Sequence, residues 1–275
     1  MIRSLNELQD YAIGATDGEV GHVKDFFFDD QSWVIRFLVV ETGSWLSSRK
    51  VLISPFSIGK ADWAHKRLPV QITREQVKNS PDVDTERPVT RQHEMLNLDY
   101  YRYPYYWGGD GLWGDGLYYP IMGSPADLGY DPLSNDLAVQ RANVRAQAMS
   151  HQNDDPHLRS CKAVTGYHIH ASDGDIGHVQ GLLVDEDSWA IRYMVVDTSN
   201  WWVGQQVLVA PQWISKVSWS DESVSVDLTR QSVRNAPVFD SSTELNRQWE
   251  SRFYSHYGRP AYWESEPAGA RHCQP

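Results

Sequence analysis

Apolar and polar positions alternate along this chain in short runs, the period-2 signature of half-buried strands. Leu8 to Ile13 reads as a first strand, and Thr16-Asp17-Gly18 as a turn in which glycine supplies a positive φ. Val20 to Phe28 is a second strand, ended by the polar turn Asp29-Asp30-Gln31-Ser32. Trp33 to Val40 is the strongest strand signal, rich in β-branched and aromatic residues. Trp33, Ile35, Phe37 and Val39 belong to one face, and Val34, Arg36, Leu38 and Val40 to the other. Both faces are largely apolar, so one lines a core and the other is at least partly covered. Val51-Leu52-Ile53 follows as a short buried strand stopped by Pro55. Ile58 to Trp63 and Leu68 to Ile72 form a hairpin around Ala64–Arg67. The period then changes. Thr73-Arg74-Glu75-Gln76 has the form of a capping box and predicts a short helix to about Asn79, stopped by Pro81. Many short strands closed by one short helix describe a small β-barrel.

The pattern is written twice. Residues 17–81 lie over 173–237 without a gap, at a constant shift of 156 (173 − 17 = 156). Asp17, Gly18, Gly21 and His22 return as Asp173, Gly174, Gly177 and His178. Trp33, Ile35 and Arg36 return as Trp189, Ile191 and Arg192, and Trp45 as Trp201. Thr73, Arg74, Val77 and Asn79 return as Thr229, Arg230, Val233 and Asn235. A gapless match predicts two copies of one fold with the same loop lengths. Each copy spans roughly 75 residues, near the lower limit at which one core sustains itself.

The echo runs beyond the barrels. Arg91, Gln92 and Glu94 return as Arg247, Gln248 and Glu250, and Tyr101, Pro104, Tyr106 and Trp107 as Tyr257, Pro260, Tyr262 and Trp263. Each copy therefore carries a tail ending in Tyr-x-x-Pro-x-Tyr-Trp. The expected class is mainly β, with two small barrels in tandem, each followed by a short helix. The first barrel covers 1–82 and the second 161–238. A connector with a Tyr/Trp/Gly-rich segment covers 83–160, and a tail echoing it covers 239–275. Within the connector, Asn135 to Met149 has helix-compatible spacing, and a connection this long is usually functional or disordered.

The net charge of −11, with no Lys/Arg run, argues against nucleic acid, whose non-specific binding relies on basic side chains. The two cysteines, Cys161 and Cys273, have no metal or redox spacing and read as thiols of a reducing compartment. The N-terminal residues lack a signal-peptide apolar core. The longest apolar run, Val34 to Val40, is broken by Arg36 and falls far short of the ~20 residues of a membrane helix. The expectation is a cytoplasmic protein without a membrane span.

The residues Asp17-Gly18-Glu19-Val20-Gly21-His22-Val23 leading to Asp29, then Trp33 to Val40, then Val51-Leu52-Ile53-Ser54-Pro55, resemble the PRC-barrel family. The second copy resembles it through Asp173 to Val179, Trp189 to Val196 and Val207-Leu208-Val209-Ala210-Pro211. The family takes its name from the cytoplasmic domain of the photosynthetic reaction-centre H subunit, and the same barrel occurs in a ribosome maturation factor. Many members are free-standing. The resemblance implies a PRC-type barrel twice over, and free-standing tandem members are the closest likeness. It implies no reaction.

Candidate chemistry is sparse. Asp17-Gly18 and Asp173-Gly174 suit hairpin turns better than ligand loops. His22 and His178 match one another, but no second ligand stands at metal spacing in both copies, and His168-x-His170 has Ala12 and Gly14 as counterparts. Arg36 and Arg192 lie within apolar strands and require a partner, either Asp29 and Asp185 or Glu41 and Asp197. Gly-x-Ser-x-Gly and His-Glu-x-x-His are absent, and Gly108-Gly109-Asp110-Gly111 matches no phosphate loop. No catalytic residue, metal or cofactor is expected. The candidate interaction surface is Tyr101, Tyr103, Tyr105, Tyr106 and Trp107 with Tyr257, Tyr262 and Trp263, since such rings anchor partners at low entropic cost. Their duplication with the barrel favours packing over its outer face instead. The expected function is a non-catalytic interaction or adaptor module with a protein partner, the two barrels pairing about a pseudo-twofold axis as a homodimer of single barrels would. The alternatives are a reaction-centre-like role in electron transfer at a membrane complex and RNA-linked ribosome maturation.

Overall fold

The computed structural model describes residues 1–81, 89–107, 111–113, 157–198, 204–240, 242 and 244–265. Most of the connector, including the spacing over 135–149 and the glycines at 108 and 109, lies outside them, as do Trp201 and Cys273.

The alternating runs become thirteen strands in two sheets among the described residues. The first repeat contributes β1 (Ile2–Ser4), β2 (Ala12–Ala15), β3 (Gly18–Asp29), β4 (Val34–Thr42), β5 (Lys50–Ile53) and β6 (Arg67–Pro69). The second contributes β7 (Leu158–Ser160), β8 (His168–Ala171), β9 (Gly174–Asp185), β10 (Ile191–Asp197), β11 (Gln206–Val209), β12 (Ile214–Ser218) and β13 (Ser223–Val226). Helices Leu5–Leu8, Arg74–Lys78 and Arg91–Tyr101 recur at Cys161–Val164, Arg230–Arg234 and Arg247–Tyr257, all at the shift seen in the sequence. No helix among the described residues is long and apolar enough to cross a membrane.

One sheet runs β5-β4-β3-β2-β6 and the other β11-β10-β9-β8-β13-β12. No pairing closes either order into a ring among the described residues, so the closed barrels expected from the pattern are found as two sheets. The long strands β3 and β9 are the spines. β4 pairs along both halves of β3, while β2 covers only its first half, from Gly18 to His22. The second half of that edge, Phe27 to Asp29, is taken by β7. In the other sheet β8 covers Gly174 to His178, and β1 covers Leu183 to Asp185.

The chain thus forms two compact units that are not contiguous in sequence. One is Glu7–Ser160 with Asp187–Trp189; the other is Met1–Asn6, Cys161–Glu186 and Ala190–Pro275. β1 of the first repeat sits in the sheet built by the second repeat, and β7, which ends at Ser160 just before Cys161, sits in the sheet built by the first.

Two local expectations are corrected. Of Leu8 to Ile13 only Ala12 and Ile13 are strand, the start of β2. Leu5–Leu8 is a helical turn whose Leu5 and Leu8, three apart, are both buried, and Asp10 in a left-handed conformation (φ 63°) breaks the chain before β2. Trp33 and Trp189 do not begin strands either. Both sit in the preceding turn at φ 54° and 57°, and Trp33 reaches the core by packing on Phe28, ring centroids 5.0 Å apart. The rest of the strongest strand is as read: Val34 to Val40 is buried on both faces, Arg36 included.

The Asp-Gly turns do more than reverse the chain. Asp17 Oδ1 accepts the backbone N–H of Arg74 at 2.7 Å, and Asp173 Oδ1 accepts that of Arg230 at 2.7 Å. Each turn therefore anchors the start of a short helix. In the first repeat the capping box is complete: Thr73 Oγ1 accepts from Gln76 N–H, and Gln76 Oε1 accepts from Thr73 N–H. Thr229 caps its helix through Ser232 N–H alone.

Gly21 and Gly177 explain the tightest part of the repeated motif. A Cβ at Gly21 would stand 2.0 Å from the Glu41 carbonyl oxygen, and one at Gly177 would stand 1.9 Å from that of Asp197, with φ at 157° and 137°. The neighbouring strand is backbone and cannot turn aside. Gly21→Ala and Gly177→Ala should each destabilise the chain by on the order of 3 kcal/mol, combining overpacking with an unfavourable φ. Denaturant melts read this directly; wild-type midpoints in both variants would refute the close approach.

Candidate functional site: two buried arginine clusters

A guanidinium in the middle of an apolar strand dictates the geometry around it, because a buried charge must be paired and hydrogen-bonded. Arg36 on β4 lies 3.5 Å from Asp29 Oδ2 at the end of β3. It donates to Ser32 Oγ at 2.9 Å and to the Leu112 carbonyl at 2.7 Å. Asp29 Oδ1 in turn accepts the N–H groups of Gln31 and Ser32, so the polar turn after β3 holds the carboxylate in place. Of the two pairings open to the sequence, the Asp29 one is realised, and Arg192 matches it with Asp185 Oδ2 at 3.6 Å.

These ion pairs are long, and the tails complete them. The Tyr106 ring lies 3.9 Å from the Arg36 guanidinium carbon, and the Tyr262 ring lies 3.9 Å from that of Arg192. Trp113 adds a second ring on Arg36 at 4.7 Å, and its indole N–H donates to the Ser188 carbonyl at 2.9 Å. The Tyr106 hydroxyl donates to Glu94 Oε2, which also accepts from Arg91 at 2.9 Å. Arg91 lies beneath Trp107, 4.3 Å from its ring. The cluster is thus Asp29, Arg36, Tyr106, Glu94, Arg91 and Trp107.

The second unit repeats it with one substitution. Arg192, Tyr262, Glu250, Arg247 and Trp263 take the same places, Trp263 lying 3.9 Å from Arg247. Tyr193 stands where the first repeat has Phe37, and its hydroxyl donates to Glu250 Oε1 at 2.7 Å. With that extra donor, Arg247 stands farther off, 3.4 Å from Glu250, and its side chain is 53% exposed against 18% for Arg91.

Electrostatics follow burial. Burial pushes the Glu94 carboxyl up to about 7, against the pull of Arg91, the Tyr106 hydroxyl and Arg36. Burial raises Glu250 as well, opposed by Tyr193, Arg247, Tyr262 and Arg192. Arg36 is held below its ordinary value by the same desolvation.

The tail residues singled out in sequence are turned inward. Tyr103, Tyr105, Tyr106 and Tyr262 are buried, while Tyr101, Trp107, Tyr257 and Trp263 are half-buried. Tyr105 stacks on Trp107 and donates to Asp99; Tyr103 packs on Phe56 and Tyr101; Tyr257 packs on Trp213 and Phe253. His22 is exposed on β3 and paired in register with Glu41, and His178 lies 3.9 Å from Asp197. Among the described residues no three His, Cys, Asp or Glu side chains gather as ligands of a metal ion. Glu94, Glu250, Arg91 and Arg247 were missed as site residues. Their signal was present: charged positions returning at the shift that carries the apolar ones.

The exposed apolar groups of the first tail helix were missed too. Leu96 and Tyr100, one turn apart, are 47% and 38% exposed, where the second tail helix presents Arg252 and His256.

A family model, the PRC-barrel domain, matches residues 3–77. No curated protein matches the chain. The matched stretch contains Asp29 and Arg36 and stops short of Glu94 and Tyr106, so the first cluster lies partly inside the match and partly in the tail beyond it.

Arg36→Ala should cost about 3–5 kcal/mol in an equilibrium melt, since it strands Asp29 beside a buried Glu94, and Arg36→Met should cost less. Equal losses would mean that charge pairing is not what holds the tail. Glu94 gives a pH signature. Its folded value of about 7 lies above the ordinary 4.5, so its stabilising contribution is complete below about 4.5 and is lost as pH rises through about 7. The stability advantage of wild type over Glu94→Gln should therefore shrink by roughly 3 kcal/mol between pH 4.5 and 8. A difference that stays level across that range would remove the burial argument.

Proposed function

We propose that this chain is a non-catalytic interaction module built from two PRC-type domains in tandem, working in the cytoplasm with a protein partner. Residues 3–77 carry the family match. The second domain is inferred from the collinear return of the spine pairings: Ala12 to Ala15 on β3 and His168 to Ala171 on β9 share one register, bulge included.

The observation that carries the reading is where the reactive side chains go. Apart from the half-exposed Arg247, the carboxyls, guanidiniums and phenols that the fold gathers are largely buried, stacked against rings and bonded to one another. Such groups fasten a tail to a sheet and leave a substrate no face to approach. A partner must instead meet what is outside, and the apolar pair Leu96 and Tyr100 on the outer face of the first tail helix is the best candidate contact. The reaction-centre-like and ribosome-maturation readings rest on the family resemblance, and no described feature favours either.

The test uses the full chain as bait in extract of the native cell. Leu96→Glu with Tyr100→Glu should weaken capture of the specific partner by at least about tenfold, as loss of central anchors does. Tyr262→Phe, inside the second cluster, should leave it intact. Undiminished capture by the double variant would reject this face.

A further inference from the structure

The opening strands of the two repeats are interchangeable by chemistry. Ile2, Arg3 and Ser4 pair with Asp185, Val184 and Leu183 on β9, and Leu158, Arg159 and Ser160 pair with Asp29, Phe28 and Phe27 on β3. The two registers are the same at the shift of the repeat. Both strands read apolar-Arg-Ser, and in both the arginine Nε meets a carboxylate at the turn that ends the spine: Arg3 meets Glu186, and Arg159 meets Asp30 at 2.9 Å. Ser160 Oγ also donates to Asp25 on the spine. Each slot is thus a stretch of strand edge beside an acidic turn, and it selects for a short strand with a central arginine.

Neither slot is filled by the repeat that builds it. β1 leaves its own repeat after Asn6 to complete the other unit, and β7 leaves before Cys161. β1 is seated by three residue pairs, by the Arg3–Glu186 ion pair, by the N-terminal amine 3.5 Å from both Asp185 and Glu186, and by the Glu186 N–H on the Met1 carbonyl, and nothing in these contacts depends on which chain supplies the strand.

We propose that the β9 slot is a strand-addition site for a second copy of this chain. Two chains exchange β1, so that Arg3 of each copy meets Glu186 of the other, and the closed product is a dimer with two exchanged strands. A single chain has the advantage of a tethered strand, so exchange is favoured at high protein concentration and on refolding. This surface is separate from the Leu96 and Tyr100 face and stands or falls independently of it.

Charge exchange between Arg3 and Glu186 tests it on full-length chains. Arg3→Glu places like charges together within its own chain, and so does Glu186→Arg. In a mixed dimer both pairs are again opposite. The two variants are refolded together from denaturant and weighed by light scattering, beside each alone and beside a chain carrying both changes. The mixture should yield a one-to-one dimer with a Kd at least about tenfold below that of either variant alone, while the doubly changed chain behaves as wild type. If the doubly changed chain folds normally and the mixture gives only monomers or aggregate, the slot is closed to a second copy and the proposal is wrong.

Discussion

A guanidinium fixed in the centre of a strand that is buried on both faces is the constraint around which each unit is arranged. Arg36 cannot reach solvent, and burial disfavours its charge. Asp29 alone, 3.5 Å away, does not satisfy a group with five N–H donors. Ser32 in the turn adds one acceptor, and the other partners come from outside the sheet: a carbonyl at Leu112, the faces of Tyr106 and Trp113 and, behind Tyr106, Glu94 with Arg91. Each added group brings its own need. Glu94 is buried and requires Arg91, and Arg91 is half-covered by Trp107. The tail docks because the strand beneath it is charged. An apolar residue at position 36 would leave the helix Arg91–Tyr101 with its buried Met95 and Leu98, its aromatic contacts and the Tyr100 bond to Gln76, without the charge at its centre.

The same backbone solves this problem twice with different side chains, which separates what is required from what is free to vary. The arginine, its aspartate, the stacked tyrosine and the buried glutamate stand in both units. Around them the layers diverge. Trp213, Phe253 and Trp249 stack in the second unit, where the first has Ser57, Asn97 and His93. Ser54 and Ser80 likewise have Ala210 and Ala236 as their counterparts at the repeat shift, all four buried. The first unit recovers aromatic area from Tyr103 and Phe56, whose counterparts are Arg259 and Gln212. Packing layers tolerate such exchange when total volume is kept. A buried charge network tolerates it much less, because removing one member leaves the others unpaired.

The strand pattern was legible because period-2 alternation, turn residues and the gapless repeat all report local structure. The Thr73 capping box, the Asp-Gly turns and the pairing of Arg36 with Asp29 follow from residues at most 57 apart that adjacent elements bring together. Three things were not legible, each for a physical reason. Leu5 and Leu8 have a spacing that suits a turn of helix as well as an irregular strand, and burial decides between them. Trp33 has every strand propensity, yet the turn requires a left-handed residue there, and packing on Phe28 offsets the strain. The exchange of β1 and β7 leaves no local trace at all. A three-residue strand reads the same whichever edge it joins, and register says nothing about which repeat supplies the partner.

That exchange, taken with the clusters, changes what counts as the folding unit. The family match ends at residue 77, yet the sheet it names is finished by β7, which begins at Leu158. Its central charge is finished by Glu94, Tyr106 and Leu112, all beyond the matched stretch. Cut at its sequence boundary, the matched domain would keep Arg36, Asp29 and Ser32 but lose both rings over the guanidinium and the Leu112 acceptor, and β3 would expose the backbone of Phe27 to Asp29. It would also retain Arg3 and Ser4 of β1, whose observed pairing is with Val184 and Leu183. β1 could then seat only on its own β3 or on a neighbouring molecule. The repeat is therefore a unit of sequence, while hydrogen bonding and charge are satisfied only when both repeats and both tails are present together.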